Sequence, residues 1–453
     1  MKSFKFIIPL LLGILAVLCF APTAWAFCGF YVAKADSKLY NKASQVVIAR
    51  EGDRTVLTMA NDYQGQVRDF AMVVPVPTVI TKEQVRVAEP KIIERLDAFS
   101  APRLVEYFDD DPCAPVYKRG LLQAVPSATV NEAGDRLRDR SLGVTVEARF
   151  SVGEYDILIL SAKESGGLET WLQRNGYKIP KGANQLLKPY IRSSMKFFVA
   201  KVNLDRFEQA GYQFLRPLQI SYKSPRFMLP IRLGMINATT EQDLLIYVLS
   251  PKGQTEITNY RTVKVPSDVN IPLFIKDEFG NFYNSTFQTA YTKEGKKVAF
   301  LEYAWDMSSC DPCSAEPLTT EELKQAGVFW LDDNSRNSIS PSRRSLPTNN
   351  VFISRLHVRY TRDKFPEDLM FQETSNTQSF QGRYVLQHPY TGELKCQAGR
   401  EYKRSLFNRF EQEAQTLARL TNWNIQDIRQ KMKLTTTNLT SSWWENFLTW
   451  LGI

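Results

Sequence analysis

Histidine is nearly absent: the 453 residues contain only His357 and His388. Two imidazoles leave little room for a histidine-rich metal site or for a Cys-His or Ser-His catalytic pair. The H-E-x-x-H, G-x-S-x-G, G-x-x-x-x-G-K-[ST] and G-x-G-x-x-G patterns are also missing, so the common metallohydrolase, serine-hydrolase, P-loop and dinucleotide-binding readings have no anchor. No apolar run reaches the roughly 20 residues that a membrane-spanning helix needs. Lys and Arg outnumber Asp and Glu by 57 to 48, but the cations are scattered among acids rather than interleaved with aromatics, which argues against nucleic acid. No metal site and no cofactor are expected.

What the chain does carry begins with MKSFKFIIPLLLGILAVLCFAPTAWAFCGF. Lys2 and Lys5 precede an apolar run of about 15 residues, and Ala24 and Ala26 form a small-x-small cleavage pair, so residues 1–26 read as a secretory signal peptide. Export places the protein in the periplasm, the cell envelope or the medium. There an envelope protein or an anionic polymer is the expected partner for a modestly basic surface.

The mature segment is read as α+β, mainly antiparallel sheet with interspersed helices and a helical C-terminal region. Residues 27–330 form the mixed body, possibly two subdomains. QVVIARE and TVLTMAND flank Gly52-Asp53 as a hairpin, and Pro75 and Pro77 close the next strand or hold it at an edge. Helices are expected near 82–99, with two short pieces or a kink at Pro90, and near 168–175, 319–326 and 401–432. Thr319 and Glu322 make a capping box for the third. Residues 331–350, rich in Ser, Asn and Pro, read as a linker or long surface loop. Residues 351–435 supply a strand and the C-terminal helices, and 436–453 a Trp-rich amphipathic tail.

Three groups of residues are candidates for function. The first is the cysteines. With Cys19 in the leader, Cys28, Cys113, Cys310, Cys313 and Cys396 remain, an odd number for an exported chain. A thioredoxin-like role for Cys310-Asp311-Pro312-Cys313 is opposed by the loop position, several residues ahead of the helix, and by the Asp311 charge. A zinc clip would have to recruit Cys396, Cys113 or His388. The reading adopted is a local disulfide between Cys310 and Cys313 and a longer bridge among Cys28, Cys113 and Cys396.

The second group lies in VFISRLHVRYTR, where Leu356, Val358 and Tyr360 alternate with Arg355, His357 and Arg359. This predicts a half-buried strand with the charged residues on its solvated face, or alternatively a cationic row that accepts an anionic ligand. The third group is Trp443, Trp444, Phe447, Leu448, Trp450 and Leu451, a tail that docks on the body, on a partner or at a membrane surface. Asp109, Asp110 and Asp111 read as a solvated acidic loop.

The stretches CGFYVAKADSKLYNKASQVVIAREGDRTVLTMANDYQG, DFAMVVPVP, WLQRNGYKIP, LPIRLG, CDPC, RLHVRY and FPEDLMF together resemble domain of unknown function 2330, a family of exported bacterial proteins. The resemblance runs from about Cys28 to about Cys396. It implies a bacterial, signal-bearing envelope or secreted protein and brings no activity, substrate or catalytic residue with it. The leading functional reading is a non-enzymatic binding or scaffold module stabilised by disulfides. The alternatives are a thiol-based redox or hydrolytic enzyme at Cys310 and Cys313, and a peripheral membrane protein attached by the tail.

Overall fold

The computed structural model describes residues 30–33, 40–41, 44–60, 63–64, 70–114, 145–175, 182–211, 215–236, 241–311, 314–331 and 350–434. The expected leader, the 332–349 segment, Cys28, Cys313 and the Trp-rich tail lie outside them.

Two sheets dominate an α+β fold. The larger has nine strands. Its path runs β16 (Arg261–Lys264), β18 (Val298–Asp306), β19 (Phe352–Tyr360), β14 (Gln242–Ser250), β3 (Ser44–Glu51), β4 (Arg54–Ala60), β12 (Leu218–Lys223) and β7 (Val85–Val87), with β21 (Phe380–Gln381) added beside β18. All pairings in it are antiparallel except β14 with β3 and β16 with β18. The five-stranded sheet runs β1 (Phe30–Ala33), β6 (Phe70–Val76), β11 (Lys196–Val202), β10 (Tyr155–Ser161) and β9 (Thr145–Val152), all antiparallel.

Three small sheets complete the set: β13 (Met228–Leu229), β20 (Leu369–Glu373) and β15 (Thr255–Ile257); parallel β17 (Val269–Asn270), β22 (Arg383–His388) and β8 (Arg103–Phe108); and the pair β2 (Tyr40–Asn41) and β5 (Tyr63–Gln64).

The expected hairpin is β3 and β4, with Gly52 at φ 58° in its turn. Of the two prolines expected to close the next strand or hold it at an edge, Pro77 follows the last residue of β6, whereas Pro75 lies inside the strand opposite Phe197, and β6 itself lies between β1 and β11.

The main core lies where the two sheets face each other. Val46, Ile48, Leu57, Met59, Leu244, Ile246, Leu356 and Val358 of the large sheet meet Met72, Val74, Ile157, Ile159, Phe198 and Ala200 of the smaller one. The outer face of the smaller sheet is covered by α2 (Ser165–Arg174) and α3 (Ala183–Arg192) through Leu168, Leu172, Leu187 and Tyr190. The outer face of the large sheet is covered by α1 (Pro90–Ser100) and α6 (Thr320–Gln325), which set Ile92, Ile93, Leu96, Phe99 and Leu323 against Val47, Ala49, Leu249 and Ile353. A short helix, α4 (Leu204–Gln209), follows β11.

A long helix, α5 (Ile275–Lys293), packs Phe287, Ala290 and Tyr291 on β18 and meets α7 (Gln397–Thr421) and α8 (Ile425–Lys431) in a separate cluster with Tyr384 and Leu386 of β22. No helix among the described residues is long and apolar enough to cross a membrane.

Two local expectations need correction. Pro90 does not interrupt a helix; it occupies the first turn of α1, where a missing N–H has no helical partner to lose. The residues ahead of it form a 3₁₀ turn, Lys82–Gln84, and the edge strand β7, so Val85 points into the core from a strand. The strand β19 is not half-solvated. It lies between β14 and β18, and helices close the face opposite the main core. Leu356 is fully buried there. Leu356→Ala is expected to cost about 2–5 kcal/mol in urea unfolding; a loss below about 1 kcal/mol would contradict this placement.

Candidate functional site

Arg355, His357 and Arg359 project from one face of β19, as their alternation requires, but that face is inside the protein. Arg355 is only 5% exposed. Its Nε donates to Glu302 Oε2 at 2.6 Å and its Nη1 to Asp97 Oδ1 at 2.6 Å. The His357 ring places Nδ1 2.7 Å from Glu302 Oε1 and Nε2 3.0 Å from Asp243 Oδ1. Arg359 makes a two-point contact with Asp243, Nε to Oδ1 at 2.7 Å and Nη2 to Oδ2 at 2.9 Å.

The supporting shell comes from α5 and β14. Tyr283 of α5 donates to Glu302, and Tyr247 of β14 donates to Asp97 of α1 at 2.8 Å. Phe287 of α5 stacks on His357 with ring centres 3.9 Å apart, and Gln288 of the same helix accepts from Arg359 Nη1 at 2.6 Å. Three cations thus meet the three carboxylates of Asp97, Asp243 and Glu302.

Glu302 reaches this position because β18 is irregular. Leu301 pairs with Leu356 and Tyr303 with Arg355, leaving Glu302 as the extra residue of a bulge. Strict alternation would send one of two neighbours to the opposite face; a bulge allows Glu302 and Tyr303 to share one. Glu302 is 1% exposed, and its amide region is held by Gly382, whose N–H donates to the Glu302 carbonyl at 2.8 Å.

The electrostatics follow from burial and pairing. Burial alone would lower the His357 pKa, but the carboxylates of Glu302 and Asp243 outweigh it and raise the ring to about 9. Burial would raise Glu302, yet His357 and Arg355 hold it down at about 2. Asp243 is depressed in the same way, with His357 and Arg359 overcoming burial. Both ring nitrogens of His357 face acceptor-only carboxylates, so the ring is an imidazolium at neutral pH.

The expected cationic row is therefore already neutralised by its own protein, which corrects the reading of Arg355, His357 and Arg359 as a solvated face or a free anion site. The signal that could have shown this was present: Asp243 and Glu302 each stand alone in apolar strand runs, DLLIYVLS and VAFLEYAW, where a charge needs a partner.

The cysteines divide. Cys113 and Cys396 form a disulfide across 283 residues of sequence. It joins the turn after β8 to the start of α7, where Cys396 is the N-cap and its Sγ accepts from Gly399 N–H at 3.1 Å. A Cβ at Gly399 would lie 3.1 Å from Cys113 Sγ, which explains a glycine in the first turn of a helix.

Beside the bridge, Asp109 is not a solvated acid. It accepts from Gln387 Nε2 and Arg409 Nη1, each at 2.6 Å, and from the Tyr402 hydroxyl. Burial raises its pKa, but those hydrogen bonds win and lower it. Nearby Glu413 is 3% exposed, and burial pushes its carboxyl up to about 8.

Cys310 is exposed with a free thiol among the described residues, where a bond to Cys313 was expected; Cys313 lies outside them. Asp311 turns inward, accepting from the Tyr303 hydroxyl at 2.9 Å and from Gln381 Nε2 at 2.8 Å. The loop is thus anchored by its aspartate. Thr319 caps α6 with Glu322 as read from the sequence, nine positions after Cys310. His388 pairs with Glu106 at 2.9 Å and stacks on Phe108.

These features define an α+β protein whose buried charges are paired within its own layers. The chain belongs to the family described as "Uncharacterized protein conserved in bacteria (DUF2330)", which it matches over residues 22–372. No curated protein and no solved structure matches it.

A pH prediction follows. The His357 pKa is raised on folding, so the stability it adds is complete below its ordinary 6.5 and fades as pH rises through about 9. Glu302 adds stability that is complete above its ordinary 4.5 and fades as pH falls toward about 2. Unfolding free energy is expected to drop by roughly 2–3 kcal/mol between pH 6.5 and 9 through His357, and His357→Gln should flatten that limb. An unchanged limb in the variant would refute the assignment.

Proposed function

We propose that the protein is exported and serves in the bacterial envelope as a non-enzymatic binding or scaffold module, its partner an envelope protein or an anionic polymer. The observation that carries this reading is the Cys113–Cys396 disulfide. Disulfides of this structural kind persist in oxidising compartments and are rare in the reducing cytosol. The leader-like first 26 residues point the same way. The non-enzymatic part rests on where the charged side chains went. Arg355, His357, Glu302 and Asp243 form a balanced cluster under α5, so they hold layers together rather than converge on an open cleft.

Fractionating bacteria that express the full chain, followed by mass analysis without reductant, tests the reading. The expected product is an exported chain beginning at Phe27 with Cys113 bonded to Cys396. Cys396→Ser should lower stability by about 2–5 kcal/mol and leave secondary structure in place. A cytosolic chain with its leader intact and both thiols alkylatable would contradict export.

A further inference from the structure

A cleft at the far edge of the large sheet remains outside the reading above. It encloses about 240 Å³ and is lined by Arg54, Glu83, Gln84, Arg86, Gln219, Ser221, Lys324 and residues 327–329, among others. Its floor is set by register. Gln219 lies opposite Thr58 and Arg86, and Ser221 opposite Val56, so Arg54, Gln219, Ser221 and Arg86 share the outer face of β4, β12 and β7. The last turn of α6 and the residues after it form the wall. Gly327, at φ 102°, lets that wall close on the sheet, because a Cβ there would lie 2.6 Å from Val56 Cγ1.

The two guanidinium groups in this cleft are held in place before any ligand arrives. Gln219 is 2% exposed; its Nε2 donates to Thr58 Oγ1 at 2.6 Å and to the Gln325 carbonyl at 3.1 Å, and its Oε1 accepts from Arg86 Nε. Arg86 Nη2 also donates to the Lys324 carbonyl at 3.2 Å. The Arg54 guanidinium lies 4.0 Å over the Phe329 ring. Arg54, Arg86 and Lys324 thus line one space from the strand β4, the edge strand β7 and the helix α6, and among the described residues Glu83 is the one carboxylate in the lining.

We propose that this cleft binds a small phosphate-bearing ligand through Arg54, Arg86 and Lys324. Two guanidinium groups and an ammonium arriving from different sides suit a tetrahedral, multiply charged oxyanion better than a flat carboxylate, which is satisfied by one guanidinium fork. A space of about 240 Å³ leaves room for a phosphate and a small organic body. Side chains fixed by Gln219 and Phe329 lose little freedom on binding. Such a group comes either as a soluble phosphate monoester or as the phosphomonoester headgroup of phosphatidic acid. The proposal does not depend on where the protein resides.

The test uses the mature chain and calorimetric titration with sn-glycerol 3-phosphate, with glycerol as control. Saturable binding of the phosphate ester, absent for glycerol and weaker at high salt, is expected. Arg54→Gln and Lys324→Gln should each weaken it by about tenfold or more, while Glu83→Gln, which removes the opposing charge, should tighten it. The Glu83 variant keeps the test decisive if the others lose stability.

Flotation with phosphatidic acid vesicles, whose headgroup is a phosphomonoester, separates the sources. Flotation lost in the Arg54/Lys324 double variant assigns the lipid headgroup, and ester binding without flotation assigns a soluble ligand. No saturable binding by the folded protein, equal affinity for glycerol, or unchanged affinity in the double variant would overturn the proposal.

Discussion

Glu302 accepts hydrogen bonds from both Arg355 and His357 at the centre of the large sheet, and much of the architecture depends on that one buried carboxylate. A strand covered on both faces cannot leave a charge unpaired, because the desolvation cost of each ion is several kcal/mol. The bulge in β18 supplies the acid where β19 needs it, and Asp97 and Asp243 complete the balance. The cluster need not add net stability compared with an apolar core. Its consequence is specificity: Asp97 belongs to α1, and Phe287 and Gln288 to α5, so pairing the charges also fixes where both helices lie on the sheet.

A second fastening holds the C-terminal helices. The disulfide, Asp109 and the parallel pairing of β22 with β8 all tie residues 103–113 to the region after 380. Parallel pairing and a bridge over 283 residues are both non-local contacts, whose closure entropy must be met late in folding. The early hairpin of β3 and β4 is local by comparison, and β14 and β19 assemble on it from much later in the chain.

Local signals carried most of what the amino-acid order made legible. The Gly52 turn, the Thr319–Glu322 capping box and the face of α7 carrying Leu406, Phe410, Ala414 and Leu417 each depend on residues a few positions apart. Alternation in β19 correctly grouped Arg355, His357 and Arg359, but alternation says which residues share a face and nothing about what covers it.

The cover is largely α5, and α5 left no clear trace. Its sequence, IKDEFGNFYNSTFQTAYTK, has an internal glycine and many Asn, Thr and aromatic residues, all mediocre helix formers. Its helical state comes from tertiary packing of Phe282, Phe287 and Tyr291. The cysteine count narrowed a long bridge to three residues, but selecting Cys113 and Cys396 needed the parallel pairing that brings β8 and α7 together.

The scarcity of histidine makes the central claim directly measurable. With only His357 and His388 in the chain, the ring signals of isotope-labelled histidine can be assigned by a single substitution, His388→Gln. If His357 is locked between Glu302 and Asp243, its nitrogens should report a doubly protonated ring that persists at pH 8 and titrates near 9. A neutral ring titrating near its ordinary 6.5 would mean that the charged row of β19 faces water, and the account of an internally neutralised sheet would fail.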